Sequence, residues 1–370
     1  MKKNTKAREK GHSEVQDKIA GKLTVGIDLG DKISRVCVLD QEGEIIEESS
    51  VKTTDGALRQ RFAAMSSTRV AIEAGAHSPW VSRLLEGCGH EVLVANARKM
   101  RLIYENDRKC DRVDAESLAR LARLDPNLLG PIQHRDADTQ ADLAMIRARA
   151  AVVTARTQLI NSMRGMVKAM GGRLPSCSTK SFHVKVEGGI PHSLRPALQP
   201  LLTEIGSLTE SIRSYDRRIE ELAKTKYPET TVLRQVTGVG ALTTLSFVLT
   251  LEDPHRFGKS RDVGAYLGLR PKQRESGNSA PQLGITKAGD HELRRLLVQS
   301  AQYILGPFGP DTDLRRWGLK LAERGGKNAK KRAVVAVARK LAVLLHRLWV
   351  SGEVYEPLRE ANPKQALEAA

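Results

Sequence analysis

Aromatic side chains are scarce in this sequence, 4% of its residues, so its cores must be built from Ala, Val and Leu, which favours helices. Cysteine is nearly absent too: Cys37, Cys88, Cys110 and Cys177 are scattered without any CxxC pair. That spacing excludes a zinc site and a disulfide framework, and fits reduced thiols in a cytosolic protein. No apolar run approaches the roughly 18 residues of a membrane span, and no signal peptide precedes the first strand-like segment. A cytoplasmic protein is expected, with no membrane partner. Acid is the last shortage. Against 60 Lys and Arg stand 43 Asp and Glu, leaving a net charge of +17 on 370 residues, the balance of a polyanion binder. With 40% hydrophobic residues the chain is globular and long enough for two or three domains.

Residues 1–22 carry seven Lys or Arg against Glu9, Glu14 and Asp17, with too little apolar surface to fold, so a disordered basic arm is expected there. From Leu23 the pattern changes. Leu23 to Asp28 reads as a buried strand, Ile33 to Leu39 as a second, and Glu44 to Val51 as a third paired antiparallel. Residues 57–66 read as a helix, Arg69 to Glu73 as a strand, Trp80 to Cys88 as a helix, Glu91 to Val94 as a strand, and Asp111 to Leu124 as a helix. This is the order of an α/β ribonuclease-H-like (RuvC-like) domain, a mixed sheet with helices on it, over 23–130.

Asp136 to Met170 is one long helical pattern, with Leu143, Ile146, Ala150, Val153, Ile160 and Val167 recurring. In a partner helix, Leu201, Ile205, Leu208, Ile212, Tyr215, Ile219 and Leu222 alternate spacings of four and three, a heptad seam. The two helices would form a helical coiled-coil hairpin over 131–228, packed on each other or dimerising with a second copy. Residues 171–198, rich in Gly, Pro and Ser, read as a loop inserted between them. A mostly α-helical C-terminal domain follows over 229–350, then a tail, 351–370. It opens with a helix-hairpin-helix-like turn, Val232 to Gly240 and then Ala241 to Leu251, where Gly238 and Gly240 can offer backbone N–H groups to phosphate. Residues 262–269 and 288–305 read as helices joined by a loop. Leu314 to Val350 holds eleven Lys or Arg and a single acid, Glu323.

Four carboxylates stand out by position. Asp28 closes the first buried strand, where an unpaired charge is costly, and Glu73 closes another. Asp111 and Asp114, three apart at a helix start, share a face. Two strand acids and such a pair can converge over a sheet and hold Mg²⁺, with Mn²⁺ as a substitute, because hard cations take oxygen ligands. Two such ions about 4 Å apart can activate a nucleophile and stabilise a leaving oxygen. Taken alone, Asp111 and Asp114 read equally as N-cap and first-turn acids.

The loop Arg270-Pro-Lys272-Gln-Arg274-Glu-Ser276-Gly-Asn-Ser279 is basic and polar. A Ser beside Gly is ordinary turn chemistry, and no Ser-His-Asp arrangement surrounds it. Phosphate contacts in this half of the chain fall to Lys272, Arg274, Lys287, Arg294, Arg295, Lys327, Lys330, Lys331 and Arg332. Other signals dissolve on inspection. Phe257-Gly-Lys-Ser260 ends like a P-loop, but the glycine required five residues before Gly258 is Asp253. Gly26-Ile-Asp28-Leu-Gly30 looks like the first phosphate loop of actin-like ATPases, whose second Gly-rich loop is missing here. His77 and His90 lack metal-ligand spacing and read as structural.

In order, Val-Gly-Ile-Asp28, Ala-Ile-Glu73-Ala and Lys109-Cys-Asp111-Arg-Val-Asp114-Ala are followed by Gly238-Val-Gly240, Phe257, Ala265 to Pro271, Ser276-Gly277, Ile285-Thr-Lys287-Ala-Gly289 and Leu293-Arg-Arg-Leu-Leu. From about Leu23 to Leu345 the chain thereby resembles the insertion-sequence transposases of the IS110 type, with a RuvC-like domain and a C-terminal transposase domain. The resemblance implies a site-specific recombinase of double-stranded donor and target DNA, guided by a structured noncoding RNA, the bridge RNA. It implies that Asp28, Glu73, Asp111 and Asp114 hold Mg²⁺, and that Ser276, with Ser279 as the fallback, forms a covalent phosphoserine. With acids and serine in different domains, a composite site in a homodimer or homotetramer is expected. A metal-dependent nuclease of Holliday-junction-resolvase type, using water, is the alternative; a basic nucleic-acid scaffold is a third. The scarcity of aromatics argues for duplex backbone contact over base stacking on single strands.

Overall fold

The computed structural model describes residues 23–98 and 111–359, apart from 278, 280, 282 and 327. The basic arm 1–22, Cys110, the side chain of Asp111, Lys327 and the tail beyond 359 lie outside the described residues. Contacts divide the chain into two compact units, 1–135 and 136–370.

The first unit is built on five strands: β1 (Thr24–Asp28), β2 (Ile33–Leu39), β3 (Ile45–Lys52), β4 (Arg69–Glu73) and β5 (Glu91–Ala95). Helix α1 (Asp55–Ala63) precedes β4, α2 (Ser78–Gly87) precedes β5, and α3 (Asp111–Leu124) follows it. The sheet order is β3-β2-β1-β4-β5, with β2 antiparallel to both its neighbours, β3 and β1, and with β1, β4 and β5 parallel. A mixed five-stranded sheet carrying helices is compatible with a ribonuclease-H-like α/β domain.

Strand alternation separates the two faces of this sheet. Val25, Ile27, Val36, Val38, Val70 and Ile72 point one way, onto Leu58, Phe62, Val81 and Leu85 of α1 and α2. Cys37, Leu39, Ala71 and Ala95 point the other way, onto Ala115, Leu118, Ala119 and Ala122 of α3. The second face is made of small residues because α3 rides close. A Cβ on Gly26 would stand 2.0 Å from the Ala115 carbonyl oxygen and 2.6 Å from the Ala119 nitrogen. The direction of α3 follows from its arginine partners. Arg69, at the start of β4, donates to the Ala122 carbonyl (3.2 Å), and Arg123 donates to the Gln41 carbonyl in the β2–β3 turn (2.6 Å). The end of α3 therefore overlies the edge where β1 and β4 begin, and its first turn lies toward the edge where they end.

The second unit opens with α4 (Ala137–Ala169) and α5 (Arg195–Thr225), packed antiparallel. The stripe that α5 buries is Leu198, Leu202, Ile205, Thr209, Ile212, Ile219 and Ala223. It keeps Ile205, Ile212 and Ile219 of the expected heptad seam but is displaced from the other four, Leu201, Leu208, Tyr215 and Leu222, which are only half-buried. The displacement has two causes. Segment 171–198 is no plain loop: it contains a helical turn, Phe182–Lys185, and packs Leu174, Phe182, Val186 and Ile190 against Leu198, Leu202 and Ile205. At the other end Ile219 and Ala223 meet Ala241, Leu245 and Leu249 of the next helix.

That helix, α6 (Ala241–Leu251), is buried along almost its whole length. It is preceded by a single turn, Thr230–Leu233, in place of a full helix. Then come α7 (Ser260–Tyr266), α8 (His291–Leu305), α9 (Asp313–Glu323) and α10 (Ala329–Ser351). Phe247, Val248 and Leu251 of α6, Leu293 and Leu297 of α8, and Leu341 and Leu345 of α10 share one core. Helix α8 starts at 291 because Asp290 caps it, accepting from the Leu293 amide at 2.8 Å. Among the described residues no helix is long and apolar enough to cross a membrane.

Candidate functional site

The acids of the first unit sit where its topology ends. β1 and β4 run parallel in the register Thr24–Arg69 through Ile27–Ile72, so Asp28 and Glu73 are the next residues along two neighbouring strands. Both are half-buried. By alternation they share the face of Gly26 and Ala71, which is the face α3 covers. Asp111 is the first residue of α3, and Asp114 lies in its first turn, half-buried, with its Oδ1 sealed from solvent. The sheet and the antiparallel run of α3 thus bring Asp28, Glu73 and the start of α3 to one edge. Among the described residues no three His, Cys, Asp or Glu side chains gather closely enough to hold a metal ion; Asp28, Glu73 and Asp114 share an edge, and the side chain of Asp111 lies outside the described residues. An all-carboxylate donor set in this position suits a hard divalent cation.

Two neighbours of this edge carry no obvious sequence signal. Arg35 stands opposite Asp28 in the antiparallel β1–β2 pair, exposed, and only the strand register reveals it. Cys37, on the same face, is buried, and burial first, then Glu116 and Glu48, push its thiol up to about 11. It is a packing residue and no nucleophile. His90 is structural, receiving the Thr68 amide on Nδ1 (3.3 Å) and placing Nε2 2.9 Å from the Phe62 carbonyl.

In the second unit, residues 270–286 form an irregular hairpin. Its base is fixed by the Pro271–Ile285 bridge, with Lys272 N donating to Gly284 O (2.9 Å) and Thr286 N to Arg270 O (2.9 Å). Its tip is closed by two backbone bonds, Ser276 N to Ser279 O (3.1 Å) and Ser279 N to Ser276 O (3.0 Å). Gly277 turns the chain between them at φ +53°, in the left-handed region that favours glycine. Ser276 and Ser279 are both exposed, as are Lys272 and Arg274 on the ascending arm.

The remaining basic candidates divide by environment. Lys330, Lys331 and Arg332 are exposed on the first turn of α10. Arg295 pairs with Glu292 one turn earlier. Arg294 is buried and its guanidinium donates to the carbonyls of Leu267 (2.9 Å) and Ala288 (2.6 Å), so it organises the loop before α8 from inside the fold. Gly238 has φ +90°, and a Cβ there would stand 2.8 Å from the Tyr303 ring. Gly240 caps α6 and faces open space.

Two family models match in chain order: a DEDD transposase model of the IS110 type over residues 25–171, and one described as the IS116/IS110/IS902 transposase family over residues 230–312. The first, through its Asp-Glu-Asp-Asp domain, implies a divalent metal ion. A transposase for insertion sequence element IS1111A from Coxiella burnetii is 29% identical over 340 residues, 90% of each chain. A transposase for element IS1328 from Yersinia enterocolitica is 29% identical over 299 residues, covering 76% of this chain and 83% of that one. A putative transposase, y4qE, from Sinorhizobium fredii is 31% identical over 291 residues, covering 75% of this chain and 70% of that one. The order of the two matched regions, and relatives that run along most of its length, establish that the chain belongs to the IS110/IS116 family of transposases, enzymes that cleave and rejoin DNA.

Proposed function

We propose that this transposase recombines double-stranded donor and target DNA through a phosphoserine intermediate, with Ser276 as nucleophile and Asp28, Glu73, Asp111 and Asp114 as the ligands of Mg²⁺ or Mn²⁺. The observation that carries this reading is the placement of Asp28 and Glu73, in register at the ends of adjacent parallel strands, on the face covered by α3, the helix that begins at Asp111 and carries Asp114 in its first turn. A bound divalent ion would supply Lewis-acid activation of the attacking hydroxyl and stabilisation of the leaving oxygen. The chain's own part begins with Ser276. Its Oγ–H gives up a proton, Oγ forms a bond to phosphorus, and the phosphorus–oxygen bond to one strand end breaks, releasing that end as a hydroxyl. The phosphodiester is conserved on the serine, so rejoining by a strand hydroxyl needs no ATP, in keeping with Asp253 where a P-loop requires glycine. Lys272 and Arg274, on the arm leading to Ser276, neutralise flanking phosphates. A structured noncoding RNA guides the choice of sites. Because recombination requires several strand cleavages and rejoinings, the working form is a dimer or tetramer.

The test traps the intermediate. The full chain, with Mg²⁺, labelled donor DNA and the RNA transcribed from the element's flank, is expected to give a covalent protein–DNA adduct that disappears in Ser276→Ala and in Asp28→Ala. An adduct surviving Ser276→Ala removes the serine, and Ser279→Ala then becomes the next variant. Free ends without any adduct favour the water-using nuclease. Recombination unchanged in Asp114→Ala removes that acid from the metal site.

A further inference from the structure

Beside the serine hairpin, the second unit contains a groove of about 1360 Å³ between α10, α9 and the base of that hairpin. Seven Lys and Arg side chains line it and, among its described lining residues, no carboxylate. Elsewhere on this unit several arginines have an acid beside them, as Arg234 has Glu220 at 2.7 Å and Arg316 has Asp311 at 2.6 Å. Among the described residues Arg261, Arg324, Lys331 and Arg339 have none. Uncompensated cations in a concave surface repel one another and focus a positive potential, which a string of phosphates neutralises.

Charge is only the rim. The floor is apolar, with Leu269, Ile285, Trp317, Leu321 and Val343, and Lys340 places its ammonium 4.6 Å from the centre of the Trp317 ring. A duplex keeps its base faces stacked inside, so it would use the rim and leave the floor idle. An unpaired strand offers both partners, phosphates for the cations and a base face for the indole.

Backbone strain marks the same place. Lys287 lines the groove at φ +56°, a left-handed conformation that costs a non-glycine residue energy and persists only where the surroundings impose it. Here they do. Lys287 N donates to Gly268 O at 3.0 Å, a Cβ on Gly268 would stand 2.2 Å from Ala288 N, and one on Gly289 would stand 2.2 Å from Tyr266 O.

We propose that this groove binds an unpaired DNA strand, its phosphates on the lysine and arginine rim and one base against Trp317, alongside the hairpin that carries Ser276. The choice of DNA rests on the reading of Ser276 as a nucleophile toward DNA, since Pro271, Gly284 and Ile285 belong both to that hairpin and to the groove wall.

Binding is measured by anisotropy with the full chain in EDTA, where no cleavage intervenes. The probes are a fluorescein-labelled DNA single strand, its duplex and the RNA of the same sequence. Trp317→Leu is expected to weaken single-strand binding about ten-fold and leave the duplex unchanged. The pair Lys331→Ala and Lys340→Ala is expected to flatten the slope of log K against log salt by about 1.4 on the single strand. Lys287→Gly keeps the left-handed backbone without strain, so it folds even where Trp317→Leu does not, and it too should weaken the single strand. Equal losses on single strand and duplex, or no loss in any variant, overturn the groove; RNA bound more tightly than DNA, with the same Trp317 dependence, overturns the assignment to DNA. These outcomes are separable from the Ser276 reading: an adduct lost in Ser276→Ala together with unchanged binding in every groove variant sinks the groove alone.

Discussion

The acid edge of the first unit and the serine hairpin of the second are held by opposite means. Asp28 and Glu73 end buried strands whose register is fixed on both sides, and α3 is seated over Gly26 so closely that no side chain fits between. Ser276 is exposed, on a tip closed by two backbone hydrogen bonds and a glycine with positive φ. The difference fits the role proposed for each. Metal ligands have to be held to within about half an ångström, which calls for a packed framework. A nucleophile that attacks a phosphodiester must reach it from outside, which calls for exposure. Damage to the edge should therefore cost stability and activity together, whereas damage to the hairpin should cost activity alone.

The largest expected effect tests the hairpin side. With Ser276 as the proposed nucleophile, Ser276→Ala removes the attacking oxygen, and recombination is expected to fall on the order of a thousand-fold or more. The melting temperature should stay within error, because the exposed hydroxyl has no packing role. A fall in melting temperature comparable with that of a core variant would erase the contrast between the two regions. Next comes Gly26→Ala. Its new methyl collides with the Ala115 carbonyl at 2.0 Å, backbone against backbone, so α3 must lift. Overpacking of this kind costs about 3 kcal/mol, read as a lower melting temperature, and adduct formation should fall with it, since Asp111 and Asp114 ride on the same helix. Activity retained at wild-type level would mean that the acids tolerate displacement, against the comparison. Smaller again is Gly277→Ala. No atom lies within 4 Å of the new Cβ, so the cost is only the left-handed backbone, about 1 kcal/mol. It should fall on the conformation of the tip, slowing adduct formation while lowering the melting temperature by about 4 °C at most.

These positions also show how far a sequence can be read. The acid edge is legible because strand alternation ends in a carboxylate twice, at Asp28 and Glu73, and a buried strand tolerates few reasons for that. The order of strands and helices in the first unit is legible from the same alternation. The stripe of α5 is not, because a heptad pattern identifies one contact face while this helix has three partners. Thr209 is buried on it, its hydroxyl bonded to the Ile205 carbonyl (2.7 Å) and reached by Arg156 (3.3 Å), and no hydrophobicity rule selects a threonine. Segment 171–198 hides its anchors, Phe182, Val186 and Ile190, among Gly, Pro and Ser. Arg294 and Arg295 look alike in sequence, yet one is spent on buried carbonyls and the other is paired with Glu292. The value of Lys287 lies in a dihedral angle, which composition does not encode.

The smallest effect comes from a residue outside both regions, which makes it the control. Asp136 caps α4, accepting the Thr139 amide on Oδ1 (2.7 Å) and the Thr139 hydroxyl on Oδ2 (2.8 Å). These bonds, the amide first, hold its carboxyl down at about 2 from an ordinary 3.8. A carboxyl whose folded-state value is depressed stabilises the fold above its unfolded value and loses that contribution as pH falls through the folded one. Asp136→Ala is therefore expected to cost about 1 kcal/mol at neutral pH, and the gap to wild type should shrink between pH 3.8 and about 2. Calorimetry across that range checks the sign. At neutral pH and a temperature well below unfolding, adduct formation by this variant should match wild type, because the cap stabilises α4 without touching the tip at Ser276. A loss of adduct in step with the loss of stability would show that the hairpin depends on the packing of its whole unit. The separation of a rigid acid edge from an independently working serine would then fail.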